Sequence, residues 1–338
     1  MRHLILTTFL VMMPLFAAAQ SVNRVIVDTV DAHVLPRFQS LATTTAELAN
    51  VAHDDCTPTQ PLLRAAYGRA FDAWIAASHL RLGPSEIDGR AFALAFWPDS
   101  RGVTPRTLNT LIADQDPVAD GPKTYAQVSI AARGFYALEL LLFDDTLMEG
   151  GNAAYHCTLV QTVAADIAAT SAAIAQDWQT GFAQELLKPE EHIRYRSNEE
   201  VLQELFKALM TGLQFTSETR LGRPLGTFDH PRPMRAESWR SGRSAQHVAV
   251  SLNALNDLAG HLTSNNSDLA AQLSDAFSRA QIQLEALEDP VFAGVADPQR
   301  RLKIEVLQQS VDAIRATVRS ELGPILGVTA GFNSLDGD

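Results

Sequence analysis

Apolar residues return every three or four positions along almost the whole chain, and this periodicity decides the fold class. Leu63, Ala66, Tyr67, Ala70, Phe71, Trp74 and Ile75 form one such stripe. Cys157, Val160, Val163, Ile167, Ile174, Trp178 and Phe182 form a longer one. That spacing puts one apolar face on an α-helix and is incompatible with the two-residue alternation of a half-buried strand. No series of hairpins, no α/β alternation and no short repeat interrupts it. The expected fold is all-α, with about four long helices on each side of a polar, proline-bearing segment at 188–197. Two tandem helical bundles follow, one over 20–190 and one over 197–338, joined by long irregular connections.

Local signals set the expected boundaries. Thr57-Pro58 is read as a stop and a new helix start, and helices are expected over 123–143 and 153–187. Ser197 with Glu200 has the spacing of a capping box, opening a helix that runs to Leu221. Asp297 with Pro298 sets the start of the last helix. Residues 83–122 and 221–244 are rich in Gly, Pro and polar residues and read as irregular, the first with short helices near Ala91–Ala95 and Pro105–Ala113, and long irregular segments of this kind often carry function.

The first residues have the layout of a secretory leader. Arg2 precedes an apolar run from Leu4 to Phe16, and Ala17 and Ala19 occupy the small-residue positions before Gln20. Cleavage between Ala19 and Gln20 would release an exported, soluble chain with no lipoprotein cysteine, and no later segment reads as transmembrane. In an oxidising compartment Cys56 and Cys157 suggest one disulfide, the alternative being two buried free thiols. The net charge of −12 excludes nucleic acid as a partner, because phosphate binding needs a basic surface. The common signatures of serine, cysteine, zinc and nucleotide enzymes are absent.

One helix carries an unusual charge. In "GFYALELLLF" (134–143), Tyr136 and Glu139 lie one turn apart in an otherwise apolar run. A carboxylate there is paired, bound to something, or at the wall of a cavity. This stretch resembles the imelysin signature, a helix-borne Gly-x-His-x-x-Glu. "WIAASHLRLGP" (74–84), "FWPDSRG" (96–102), "YHC" (155–157) and "RPLGTFDHPRPMRAESWRSGRS" (223–244) extend the resemblance over nearly the whole mature chain.

What the resemblance implies is a periplasmic or surface-attached protein of two four-helix bundles, linked to iron uptake, with its site near the interface of the bundles. It also implies a metallopeptidase label. This chain departs from the pattern where Tyr136 stands in place of the motif histidine. A histidine and a glutamate at i, i+3 can reach one metal, whereas a phenol titrating near pH 10 is a poor zinc ligand and suits Fe³⁺ better.

The candidate ligand or metal site is therefore Tyr136, Glu139, His79, Arg81, Asp99, Glu237, Arg240 and Arg243. Each has a plain reading beside it. Glu139 can pair with an arginine, Arg81 among them; His79 can be a hydrogen-bonded helix-end histidine. Asp99 can be a cap, and Ser238 and Ser241 can cap the helix that follows. The expectation is a non-enzymatic binding component, with iron as the possible cofactor or cargo and an iron-transport protein as the possible partner. The alternatives are an interaction module that has lost its site, or a metallopeptidase.

Overall fold

A computed structural model describes residues 22–328. The expected leader, with its cleavage point at Ala19 and Gln20, lies outside the described residues. No strand occurs among them; the one ladder contact is an isolated bridge between Thr227 and His230.

The chain enters as a helix from residue 22, widens into a π turn at Val30–Val34, and continues as α1 (Leu35–Asp54). Pro36 accounts for the wide turn, since it offers no N–H to the preceding turn and its ring crowds the carbonyl there. α2 (Pro61–Ala77) starts at Pro61 rather than at Pro58, because the Gln60 side chain accepts from the Leu63 amide at 2.9 Å and sets the first turn. α3 (Val103–Asp114) lies inside the irregular region.

The helix expected over 123–143 is broken. Pro122–Tyr125 and Ile130–Ala132 are single turns, Arg133 is extended, and α4 is only Gly134–Phe143. Gly134 makes the break possible. Its φ is +76°, and a Cβ there would stand 2.2 Å from the Leu94 carbonyl oxygen, so no other residue fits this close approach.

α5 (Ala153–Asp177) continues through a π turn at Trp178–Phe182 to Leu187. The whole stretch Ala153–Leu187 is long and apolar enough to cross a bilayer, which the sequence reading did not anticipate. Here it is the central helix of a ring: α1, α5, α4 and α2 pack in closed succession. Val160, Val163, Ile167 and Ile174 on α5 are fully buried in that ring. Cys56 and Cys157 join the end of α1 to the first turns of α5, with Cα atoms 5.2 Å apart.

A second ring is formed by α6 (Asn198–Gln214), α7 (Ser244–Leu262), α8 (Ser267–Glu285) and α9 (Pro298–Thr317). At the start of α6 the expected capping box is not made. The Ser197 hydroxyl makes no cap, and the Glu200 carboxylate accepts instead from the amide of Arg196, one residue before the cap, at 2.7 Å. Asp297 does cap α9, accepting from the amides of Gln299 and Arg300. α6 ends in a wide turn over Phe215–Leu221. The two rings meet where α2 packs on α7.

Candidate functional site

α4 projects Tyr136 and Glu139 toward the junction of the rings, and both are buried there. The Tyr136 hydroxyl donates to Glu237 Oε1 at 2.5 Å. The other carboxylate oxygen of Glu237 accepts from Arg220 Nε at 2.7 Å, and His247 Nδ1 lies 3.3 Å from it. Arg220 is supplied by the wide turn after α6 and also donates to Ser251 Oγ at 3.2 Å. Burial pushes the Glu237 carboxyl up, but the Arg220 charge, His247 and the Tyr136 hydroxyl outweigh it and hold it at about 2. Burial, followed by the Glu237 charge, raises the Tyr136 phenol well above its ordinary value, so it stays a donor.

Glu139 is held differently. Its Oε1 accepts from the backbone N–H of Ser241 at 3.0 Å and from the Ser241 hydroxyl at 2.7 Å. Its Oε2 has no hydrogen-bond partner among the described residues, and Glu139 lines a cavity. Burial raises its pKa against the pull of the Ser241 donors and the nearby Arg240 charge.

The arginine partner expected for Glu139 is not there. Arg81 reaches back to Glu86 instead, with contacts of 2.5 and 3.2 Å. Arg240 pairs with Asp144 at 2.8 Å, and Arg243 pairs with Asp72. Ser241 is not a helix cap, since α7 begins after Arg243 with no side-chain cap. Asp99 is a cap: its carboxylate accepts from the amides of Val103 and Thr104 at 2.9 and 2.8 Å and so starts α3.

Two cavities open beside this network. The first, of about 250 Å³, is lined by Trp97, Asp99, Glu139, Arg223, Arg235 and Trp239, among others. The second, of about 520 Å³, is lined by His79, Arg81, Arg220 and Glu237 and by many apolar residues. Trp97 and Tyr136 belong to both walls, with their rings stacked at 6.0 Å. Tyr136, Glu139, Asp99 and Arg240 therefore come together at the first cavity, and Tyr136, His79, Arg81 and Glu237 at the second. His79 does not stand in for the lost motif histidine beside Glu139, and Arg243 lines neither cavity.

Sequence reasoning missed Arg220, Arg223 and Arg235. Arg223 leans over the Trp97 ring, and its buried Nε has no hydrogen-bond partner. Neither Arg223 nor Arg235 has a carboxylate within ion-pair distance among the described residues.

The donor set does not suit a bare metal ion. Tyr136 holds its proton toward Glu237, Glu237 is engaged by Arg220, and Glu139 has one oxygen to offer. No group of three or more His, Cys, Asp or Glu among the described residues converges as a metal site would require. An open-coordination peptidase centre at Tyr136 and Glu139 lacks the ligands to hold its ion.

Three buried histidines nearby fix a pH dependence. His33 is lowered to about 4 by burial, only partly offset by its hydrogen bond to Asp257. Burial also lowers His79 and His247. Each folded value lies below the unfolded one, so this stability is present above pH ~6.5 and is lost as pH falls toward the folded values. Glu139, raised by burial, carries the opposite sign. Urea unfolding between pH 7 and 4 is expected to show falling stability, with His33 alone contributing about 3 kcal/mol of the loss. His33→Gln is expected to flatten the profile, and an unchanged slope would contradict this assignment.

The imelysin family model (peptidase M75) matches residues 34–318. The chain is 24% identical to iron-regulated protein A of Synechococcus elongatus, over 90% of this chain and 86% of that protein. Its fold is similar to an imelysin-like protein from Psychrobacter arcticum, with a TM-score of 0.79 at 20% identity, covering 93% of this chain and 98% of the other. It is also similar to a candidate iron-regulated protein A precursor from Parabacteroides distasonis, with a TM-score of 0.75 at 13% identity, covering 90% and 95%. A family match over most of the length, together with an all-α fold, settles the assignment: this chain belongs to the imelysin family.

Proposed function

We propose that the protein is an exported, non-enzymatic binding component of iron uptake that holds an anionic iron chelate in the cavity beside Glu139. The observation that carries this reading is the pair Arg223 and Arg235, which line that cavity without carboxylate partners. Burial and then the like charge of Arg235 lower the pKa of Arg223. A bound carboxylate would relieve both costs and accept bidentate hydrogen bonds from the guanidinium. Trp97 and Trp239 supply flat apolar walls, and the free Glu139 oxygen can accept from a hydroxyl of the chelator. Export is supported by the leader-like layout of residues 1–19. A membrane transport protein is the partner that would take the chelate onward.

Calorimetry of the mature chain tests this reading. Ferric citrate is expected to bind stoichiometrically, and Arg223→Ala to weaken it by about 10- to 100-fold, the usual worth of a hydrogen bond to a charged group. Fe²⁺ and Zn²⁺ alone are expected not to bind at the site. Stoichiometric binding of the bare ions, with none of ferric citrate, would overturn the proposal.

A further inference from the structure

We propose that the second cavity is a separate site for an uncharged, largely apolar small molecule that donates one hydrogen bond to Nδ1 of His79. A chain of side chains outside the first cavity sets up that acceptor. Asp257 Oδ2 lies 2.8 Å from His33 Nδ1, and His33 Nε2 lies 2.8 Å from His79 Nε2. The Asp257 carboxylate only accepts, so His33 carries its proton on Nδ1. Neutral His33 then has a bare Nε2, and the contact with His79 can form only if His79 donates from its own Nε2. His79 is therefore left with an unprotonated Nδ1. Among the described residues that atom has no partner, and it is not sealed off as an orphaned polar atom. His79 forms part of the wall of that cavity, and with Nε2 turned to His33, Nδ1 is the ring nitrogen left to face it. His33 sits in the wide turn ahead of Pro36, a type of helix defect that often serves a site.

The walls specify the rest of the ligand. Trp74, Leu82, Phe92, Trp97, Pro98 and Phe215 give an apolar lining, and about 520 Å³ is the size of a small-molecule site. Its charged groups are already matched: Arg81 with Glu86, Lys207 with Glu204, and Arg220 with Glu237. The first cavity has unpaired cations, whereas this one offers no net charge to an ion. A planar molecule with one O–H or N–H fits that combination.

Phenol and anisole share a ring and differ in the donor, so they test the proposal directly. Phenol is expected to bind saturably, and anisole about tenfold more weakly, as loss of one hydrogen bond implies. In protein labelled with ¹⁵N-histidine, phenol is expected to shift the Nδ1 signal of His79, and anisole to leave it in place. His79→Phe is expected to erase the preference for phenol while both rings still bind. Ferric citrate titrated into phenol-saturated protein is expected to bind as it does without phenol. Equal affinities for the two rings, a preference that survives His79→Phe, or competition with ferric citrate would each overturn the proposal. Failure of ferric citrate to bind at all would count against the first cavity alone, because the phenol and anisole readouts do not depend on it.

Discussion

Arg220→Ala is expected to destabilise the protein by about 3–5 kcal/mol, the range for removing one member of a buried ion pair. The side chains of Arg220 and Glu237 are 4% and 2% exposed, so the carboxylate left behind is largely desolvated. Glu237 would keep only the Tyr136 hydroxyl and the neighbouring His247 as compensation. Part of the effect should reappear as a changed pH profile. In the intact protein Glu237 titrates at about 2, below its ordinary 4.5, so its contribution is present above pH ~4.5 and lost as pH falls toward ~2. Without Arg220 the folded value rises and that contribution shrinks. The double variant Arg220→Met, Glu237→Gln removes both charges while leaving an oxygen for Tyr136, and it is expected to recover most of the loss. Urea unfolding at pH 7 measures all three proteins. A loss below about 1 kcal/mol in the single variant would show that the pair is not sealed from solvent.

Cys56→Ser is expected to cost about 4–5 kcal/mol in the loop-entropy model, because the cross-link closes a loop of 101 residues. The folded state should change little. α1 and α5 already pack along their lengths, so the cross-link ties together two segments that the core holds in place anyway. Its effect lies in the unfolded chain, where it forbids the ends of that long loop from separating. Unfolding of the wild-type protein in excess dithiothreitol should match the Cys56→Ser variant without it. A difference under about 1 kcal/mol between oxidised and reduced protein would mean that the unfolded chain retains structure across this loop.

The parts of this molecule that were legible in the sequence are those that follow a regular helical period. The stripe from Leu63 to Ile75 became the buried face of α2, the stripe from Val160 to Phe182 that of α5 and the π turn after it, and Tyr136 and Glu139 share one face of α4 as their spacing requires. What periodicity does not give is the fate of a polar residue on an apolar stripe. Arg220 follows Leu209, Leu213 and Thr216 at helical spacing and is buried with them, but spacing alone does not show that Glu237 neutralises it there. His33 lies on the stripe of Ile26 and Val30 in the same way, and its partner Asp257 is 224 residues away.

Partner choice was the other weak point. Arg81 was open to pairing with Glu139, yet Glu86 is only five residues away and reaches it first at far lower entropic cost. Ser241 has the look of a cap by composition, but the chain between Glu237 and Arg243 turns its amide and hydroxyl onto Glu139. No local rule distinguishes those two fates, because the distinction lies in a contact between residues 102 positions apart.

The most direct measurement of the ligand site is iron-edge anomalous diffraction from crystals of the mature protein grown with ferric citrate. The expected result is an iron peak inside the cavity bounded by Glu139, Arg223 and Arg235, with citrate carboxylates on the two arginines and the Tyr136–Glu237 contact intact. A peak bonded directly to Tyr136 and Glu139 without citrate, or iron bound only outside this cavity, would contradict it.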